Sequence, residues 1–474
     1  MNIISEARKI YGKAVPELTG FYNLINKWVS IFSNMPPWAR VKKSGLFSSG
    51  EREMSRLGAA KVLADEFSRL TFSEQVNISV AEPYLDYVQN TLNANGFWKR
   101  MPDFLSFAYA LGGGAIKIYA ENGKPCINYV DADLFVPLAW NEKEIFSGAF
   151  ESKIYKDGIF YTLFDRYFPD NNSYSVEHTL YKSTRKSSIG EECPLSELFP
   201  DLPDIIKYNT DVQMFHYFKP HISNNVDRYS PLGVSVYDSA IDTLKALDVA
   251  FDSFSREFIL GKKRIIVPSS CIRTVVDIES GQPKRYFDAD DEVFVALKCD
   301  DDKDLKITDN TVELRVEEHI SAINALLNLL CFQTGLSAGT FSFEGQSMKT
   351  ATEVVSENSK TARTSESNKN LVAEFLEGLI KSIIALGICL GDLPESDDYE
   401  ISISMPDNVI IDDNTKIENN IKLVSAGLKS KLAAIMDIQN CDEAAAQKEY
   451  DRIQEENKQI TGDMTDFFSL GDNT

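Results

Sequence analysis

Histidine is scarce in this sequence and cysteine is scattered. Four histidines occur in 474 residues, at positions 178, 216, 221 and 319, so few imidazole bases or metal ligands are available. The seven cysteines (126, 193, 271, 299, 331, 389 and 441) contain no C-x-x-C pair. An odd, unclustered set fits reduced and mostly buried thiols, and excludes a disulfide framework or a cysteine-based zinc site. A basic excess is lacking too: 49 Lys and Arg stand against 71 Asp and Glu, a net charge of −22. That balance argues against a tight duplex binder, because neutralising phosphates needs clustered cations. It does not argue against loose passage of nucleic acid along a repelling wall. Long apolar runs are missing as well. Leu326 to Phe332 is broken by Asn328, and Leu379 to Leu390 contains Lys381. Neither could span a bilayer, which takes about 20 residues. The start, MNIISEARKIYGKAVPELTG, has no basic end followed by an apolar stretch. A soluble intracellular product with no membrane contact is expected.

What is present is an ordinary globular composition, 43% apolar, on a chain long enough for two or more domains. From Glu51 to Phe97 the apolar spacing reads as helical: Met54, Leu57, Val62, Phe67 and Leu70, then Tyr84, Leu85, Val88 and Leu92. A further helix ends through Phe104 to Leu111 at the triple glycine Gly112 to Gly114. The period then changes to alternation about Asn122-Gly123, a hairpin signal, and short strands follow to a boundary near Pro231. Next, Tyr237, Ile241, Leu244, Leu247, Phe251, Phe254 and Phe258 form an apolar stripe over about seven helical turns. Gly261 is placed to end it. A β-rich insert of some fifty residues separates this helix from VEEHISAINALLNLLCFQTG, which ends at Gly335. Beyond a loop over 336–349 a helix of about forty residues is predicted. Its first half, Ser356 to Asn370, is polar on every face and should meet water or a solvated cavity. Its second half carries a stripe at Val372, Phe375, Leu376, Leu379, Ile383 and Leu386. YEISISM alternates as a strand, and the remainder reads as helical.

The motifs of chemistry fail in context. Gly335-Leu336-Ser337-Ala338-Gly339 matches G-x-S-x-G, but a helix precedes Ser337, a loop follows, and every histidine lies upstream. A glycine cap and turn explains it better. Gly112 to Gly114 sits between helix and strand in the wrong order for a dinucleotide fingerprint, with Lys117 where glycine is required. Lys349-Thr350 has Met348 in place of the phosphate-loop glycine. Asp300, Asp302 and Asp304 have calcium-loop spacing, but Leu305 and Thr311 occupy the required glycine and glutamate positions. His216 and His221 have no helical metal spacing. No catalytic residue, cofactor site or metal site is expected.

Longer stretches do carry a resemblance. "INKWVSIFSNMPPW", "GAAKVLADEFSRLTFSE", "YALGGGAIKIYAENGKPCINYVDADLFVPL" and "SPLGVSVYDSAIDTLKALDVAFDSFSREF" occur in order, followed by "GLSAGTFSFEGQSMKTATEVVSENSKT" and "LVSAGLKSK". Across nearly its whole length the chain resembles the portal proteins of tailed bacteriophages, particularly long, non-contractile-tailed phages of Gram-positive hosts. The resemblance implies an α+β portal fold with wing, helical stem, β-rich clip and helical crown, assembled as a ring of about twelve subunits. On this sequence the wing is 1–231, with stem helices at 232–261 and 315–335 and the clip at 262–314. A channel loop is 336–350, the long helix and a wing return strand are 351–411, and the crown is 412–474.

The resemblance further implies a conduit for double-stranded DNA, without sequence preference, at one capsid vertex. Its partners would be the terminase motor, head-completion or adaptor proteins, and the major capsid and scaffolding proteins. It would be found in the virion, and in host cytoplasm during assembly. The expected DNA-facing residues are Ser337, Thr340, Phe341, Phe343, Glu344, Gln346 and Lys349 in the loop, with Lys360 and Arg363 on the following helix. Arg273, Lys284 and Arg285 are expected on the clip's partner surface. Two alternatives compete: another structural virion component without a DNA channel, and a serine hydrolase acting through Ser337.

Overall fold

The computed structural model describes residues 3–44, 49–72, 76–261, 265–266, 273–276, 283–286, 308–309, 313–343, 351–395, 400–405, 413–439 and 445–454. Two helices begin the chain, α1 (Ile3–Tyr11) and α2 (Thr19–Phe32), each amphipathic and each burying one face. The hairpin β1 (Arg40–Ser44) and β2 (Ser49–Glu53) follows, then α3 (Ala59–Thr71), β3 (Asn77–Ser79), α4 (Tyr84–Ala94) and α5 (Phe97–Leu111). The helical reading of Glu51 to Phe97 is therefore corrected at its start. Residues 51–53 are strand, and Met54 and Leu57 lie in the connector before α3. Apolar spacing alone did not reveal that Gly58, at φ 70°, is the point where the helix begins.

After α5 the chain turns at Gly112 and Gly113, both at positive φ, into the predicted hairpin. β4 (Gly114–Glu121) and β5 (Lys124–Asp131) pair about Asn122 and Gly123, at φ 52° and 72°, the backbone that a two-residue hairpin turn requires. β6 (Phe135–Trp140), β7 (Ile145–Lys156), β8 (Ile159–Asp170) and β9 (Ser173–Ser183) form an antiparallel meander. Two short strands, β10 (Glu191–Cys193) and β11 (Ile205–Tyr208), both pair with β9. β12 (Phe215–Phe218) completes a three-stranded sheet on β4. Phe135, Phe150, Tyr167 and Phe215 meet between the two sheets with ring centroids 5.0 to 5.9 Å apart.

Then come α6 (Ile241–Leu260), the strands β13 (Ile265–Ile266), β14 (Arg273–Val276), β15 (Pro283–Tyr286) and β16 (Thr308–Asp309), and α7 (Val316–Thr334). β13 pairs β16, and β14 pairs β15, so the described part of the insert between the two helices is antiparallel. α8 (Ala351–Leu390) is one continuous helix of 40 residues, about 60 Å long. β17 (Ser402–Ser404) pairs with β3, and α9 (Asp413–Ser425) packs on α10 (Lys431–Gln439). The architecture is α+β.

The buried half of α8 is the one its stripe predicts, with Val372, Leu376, Leu379, Ile383 and Leu386 at most 1% exposed. The polar half corrects the expectation that it meets water or a solvated cavity. Ser365, Asn368 and Lys369 are buried. Ser365 donates to Leu70 O at 2.7 Å, and Asn368 accepts the His221 backbone N–H at 3.0 Å while donating to Thr364 O at 2.8 Å. A polar face can dock when each buried group finds a partner, here backbone left free by neighbouring loops and helix ends.

Candidate DNA-channel site

The site is built where three helices meet. α6 and α7 pack through Leu244, Leu247, Ile323, Leu327 and Leu330, all buried. Two aspartates on one face of α6 tie it to the β1–β2 hairpin. Asp248 accepts Trp38 Nε1–H at 2.8 Å and Leu57 N–H at 3.0 Å. Asp252 accepts both arms of the Arg52 guanidinium, at 2.7 and 2.6 Å, and Ser55 N–H at 3.0 Å. The bond from Arg52 holds the Asp252 carboxyl below its usual range, whereas burial raises that of Asp248. Toward the insert, Arg315 clasps Glu257 at 3.1 and 2.9 Å, which lowers the glutamate to about 2.

α7 ends as Gly335 promised. The glycine sits at φ 84°, and both it and Leu336 donate their N–H to Cys331 O, while the Leu336 side chain is buried. This is a Schellman cap with its apolar contact. Ser337 is 3% exposed. Its backbone N–H donates to Thr361 Oγ1 at 2.8 Å, and its own Oγ accepts the Thr361 N–H at 3.2 Å. Thr364 adds a bond to Gly335 O at 2.6 Å. The loop then runs back beside α7: Gly339 N–H donates to Asn328 Oδ1 at 2.9 Å, and Phe343 N–H to Asn324 Oδ1 at 3.1 Å.

Ser337 is therefore a brace whose hydroxyl holds α8. The four histidines have partners elsewhere or none near it: His178 lies 2.8 Å from Asp165, His319 is 3.8 Å from Glu257, and His221 uses its backbone. Among the described residues, Ser382 and His216 make a Ser–His contact at 2.7 Å. That serine is fully buried, with Gln213 O and Gly378 O both within hydrogen-bond distance of its hydroxyl, and burial pushes the imidazole down to about 4. Among the described residues no cluster of three His, Cys, Asp or Glu could hold a metal, and no helix is long and apolar enough to cross a membrane.

Of the expected DNA-facing residues, the structure brings Thr340, Phe341 and Phe343 together at the start of the loop. Thr340 is bonded to Ser337 O at 2.7 Å, Phe341 packs on the core, and Phe343 is 60% exposed. Lys360 is engaged: its ammonium donates to Phe332 O at 2.8 Å and lies 4.6 Å from the centre of that ring. It neutralises the carbonyl end of α7. Arg363 is exposed, with a bond to Ser359 O at 3.3 Å. Glu344, Gln346 and Lys349 lie outside the described residues. Arg273 is on β14, and Lys284 and Arg285 are on β15, opposite Val275 and Thr274. Of the residues that shape the loop, Asn328 stands out in the sequence only as a break in an apolar run, and Asn324, Thr361 and Thr364 went unnoticed. Two asparagines four apart on a helix otherwise apolar at that end were the available signal.

A family model described as "Phage portal protein, SPP1 Gp6-like" matches residues 51–463. No curated protein sequence matches the chain. Among solved structures, the chain is similar to one from the virion of a native gene transfer agent particle, at 12% identity and TM-score 0.40. That alignment covers 80% of this chain and 88% of the other. A second, from the neck of a native gene transfer agent particle computed with C12 symmetry, aligns at 11% identity and TM-score 0.37, with the same coverage.

Proposed function

This chain belongs to the SPP1 Gp6-like family of phage portal proteins, and from that premise we propose how it works as one. Copies close into a ring of about twelve through heterologous contacts repeated around an axis. α6 and α7 form the stem, the β insert between them the clip, residues 1–231 with α8 and β17 the wing, and the C-terminal helices the crown. Double-stranded DNA passes through the centre during packaging and ejection. The terminase motor and head-completion proteins dock in turn at the clip, and capsid and scaffolding proteins meet the wing at one vertex. The role is structural, with no catalytic step.

The observation that carries this reading is the outer face of α7. Ala322, Ala325, Leu329 and Phe332, spaced three and four apart, are all exposed, Leu329 by 44% and Phe332 by 72%. α6 exposes Val249 and Ile259, by 47% and 64%. An apolar face of this kind on a helix pair demands a neighbour, and a second copy supplies one at each step of a ring. Within the ring, Phe343 leads the channel loop away from its anchor on Asn324. The high negative charge lets DNA slide instead of being gripped.

Electron microscopy of assembled protein tests the ring, and a photocrosslinking residue in place of Phe343 tests the channel. The expected results are a ring with a central hole and label transfer to DNA in packaged particles. A monomer under assembly conditions overturns the ring, and crosslinking to protein alone overturns the placement of the loop.

A further inference from the structure

α1 lies across the outer face of the meander, where its side chains Ile3, Ile4 and Ala7 are buried. Two carboxyl groups are buried with them. Glu6 of α1 is 2% exposed, and Glu151 of β7, whose cross-strand neighbour is Phe164, is 3% exposed. The two side chains converge, and a proton on one of them would let it hydrogen bond to the other. One cation serves both: Lys153 Nζ is 2.8 Å from Glu151 Oε1 and 3.9 Å from Glu6 Oε2. Neither of those two oxygens has a well-aligned hydrogen-bond donor.

We propose that α1 is a proton-held clasp, docked on the meander by a carboxyl–carboxylate bond between Glu151 and Glu6 and released when that shared proton leaves. The surroundings favour this. Burial, followed by the bond to Glu6, pushes the Glu151 carboxyl up to about 7, against the pull of Lys153.

The other charged groups nearby do not supply a second counterion. Asp133, in the turn after β5, draws on the same lysine, and Asp131 lies beside it. On β8, Arg166 is engaged with Glu177 at 3.4 Å and stacks 5.8 Å from the Tyr11 ring. Asp165 is held by Lys117 and His178. β6 has no charged residue, α2 has only Lys27, Arg8 of α1 turns away to Pro16 O, and Lys9 of α1 is exposed. With both glutamates ionised, two buried negative charges share one half-exposed lysine.

The direction follows from linkage. A glutamate whose folded value is raised keeps its proton in the folded state over the interval where the unfolded chain has lost it. The clasp is complete below the ordinary value of 4.5 and is lost as pH rises through about 7. Nothing in this inference depends on the DNA channel or on ring size.

Hydrogen exchange of the full-length protein, corrected for intrinsic rates, tests it at about pH 6 and about pH 8.5. Protection of α1 amides should fall by about 10-fold across that range, as expected for one proton held with a midpoint about one unit above the lower pH. Protection of α5 should stay constant. Glu151→Gln, whose amide donates to Glu6 at every pH, should hold α1 protection flat, and Glu6→Gln should do the same from the other side. Flat protection in the unmodified protein overturns the proposal. So does a fall that persists in either variant, and Glu6→Gln decides the matter should Glu151→Gln fail to fold.

Discussion

Ser337 and Thr361 exchange two hydrogen bonds across 24 residues of sequence, backbone N–H to hydroxyl in each direction, at 2.8 and 3.2 Å. The pair fixes where α8 passes the end of α7, and so fixes where the loop after α7 starts. Ser337→Ala removes one bond of the two and should lower stability by about 1 kcal/mol in urea titrations. No serine-directed phosphonate should label the unmodified protein. Labelling lost in Ser337→Ala would revive the hydrolase reading.

Arg52 and Asp252 make the strongest tie between the β1–β2 hairpin and α6. Arg52→Ala leaves a nearly buried carboxylate without its bidentate partner and should cost about 2 kcal/mol. The loss should appear as reduced exchange protection in residues 49–57 ahead of the rest of the chain. Because Arg52 lowers the Asp252 carboxyl, the contribution is present above the ordinary value of 3.8 and fades as pH falls below it. The variant should therefore differ least from the unmodified protein in acid.

His216 is neutral in the folded chain, its imidazole lowered to about 4 by burial first and then by Lys381. Its contribution is complete above 6.5, the ordinary value, and is lost as pH falls toward about 4. Urea titrations over that interval should show about 3 kcal/mol of lost stability traceable to this one residue. His216→Gln retains a partner for Ser382 but does not titrate, so it should remove that part of the acid sensitivity. An unchanged pH profile in the variant would contradict the assignment.

Leu329→Asp and Phe332→Asp place a charge on the exposed face of α7. Both side chains are largely solvent-facing in the single chain, so the subunit should fold with its thermal midpoint nearly unchanged. Sedimentation should nevertheless show monomers where the unmodified protein forms rings, because each contact is repeated around the axis. Phe332→Asp should be the more severe, since Lys360 also loses the ring beneath its ammonium. Rings that persist in both variants would place the interface elsewhere.

Local patterns were legible wherever one residue type dictates backbone shape or one period dominates. Asn122-Gly123 closed the predicted hairpin, Gly335 ended α7, and the stripe from Val372 to Leu386 faced the core. The polar half of α8 was misread because polarity shows only what a face must satisfy, and Ser365 and Asn368 satisfy it with Leu70 and His221 from distant segments. Glu51 to Glu53 were misread because helical spacing over three residues is indistinguishable from chance next to a real helix.

By itself, then, the sequence determined the α+β class and the family, because periodicity, glycine placement and long ordered stretches are local properties. It also weighed against a nucleophile at Ser337 through order along the chain. Only the tertiary structure decided what Ser337 does instead, that Lys360 is engaged with Phe332, and that Glu6 and Glu151 share one lysine. The physical reason is the same in each case: a side chain's role is set by the partner that burial brings to it, and the partners of Ser337, Lys360 and Glu6 lie 24, 28 and 147 residues away in the chain.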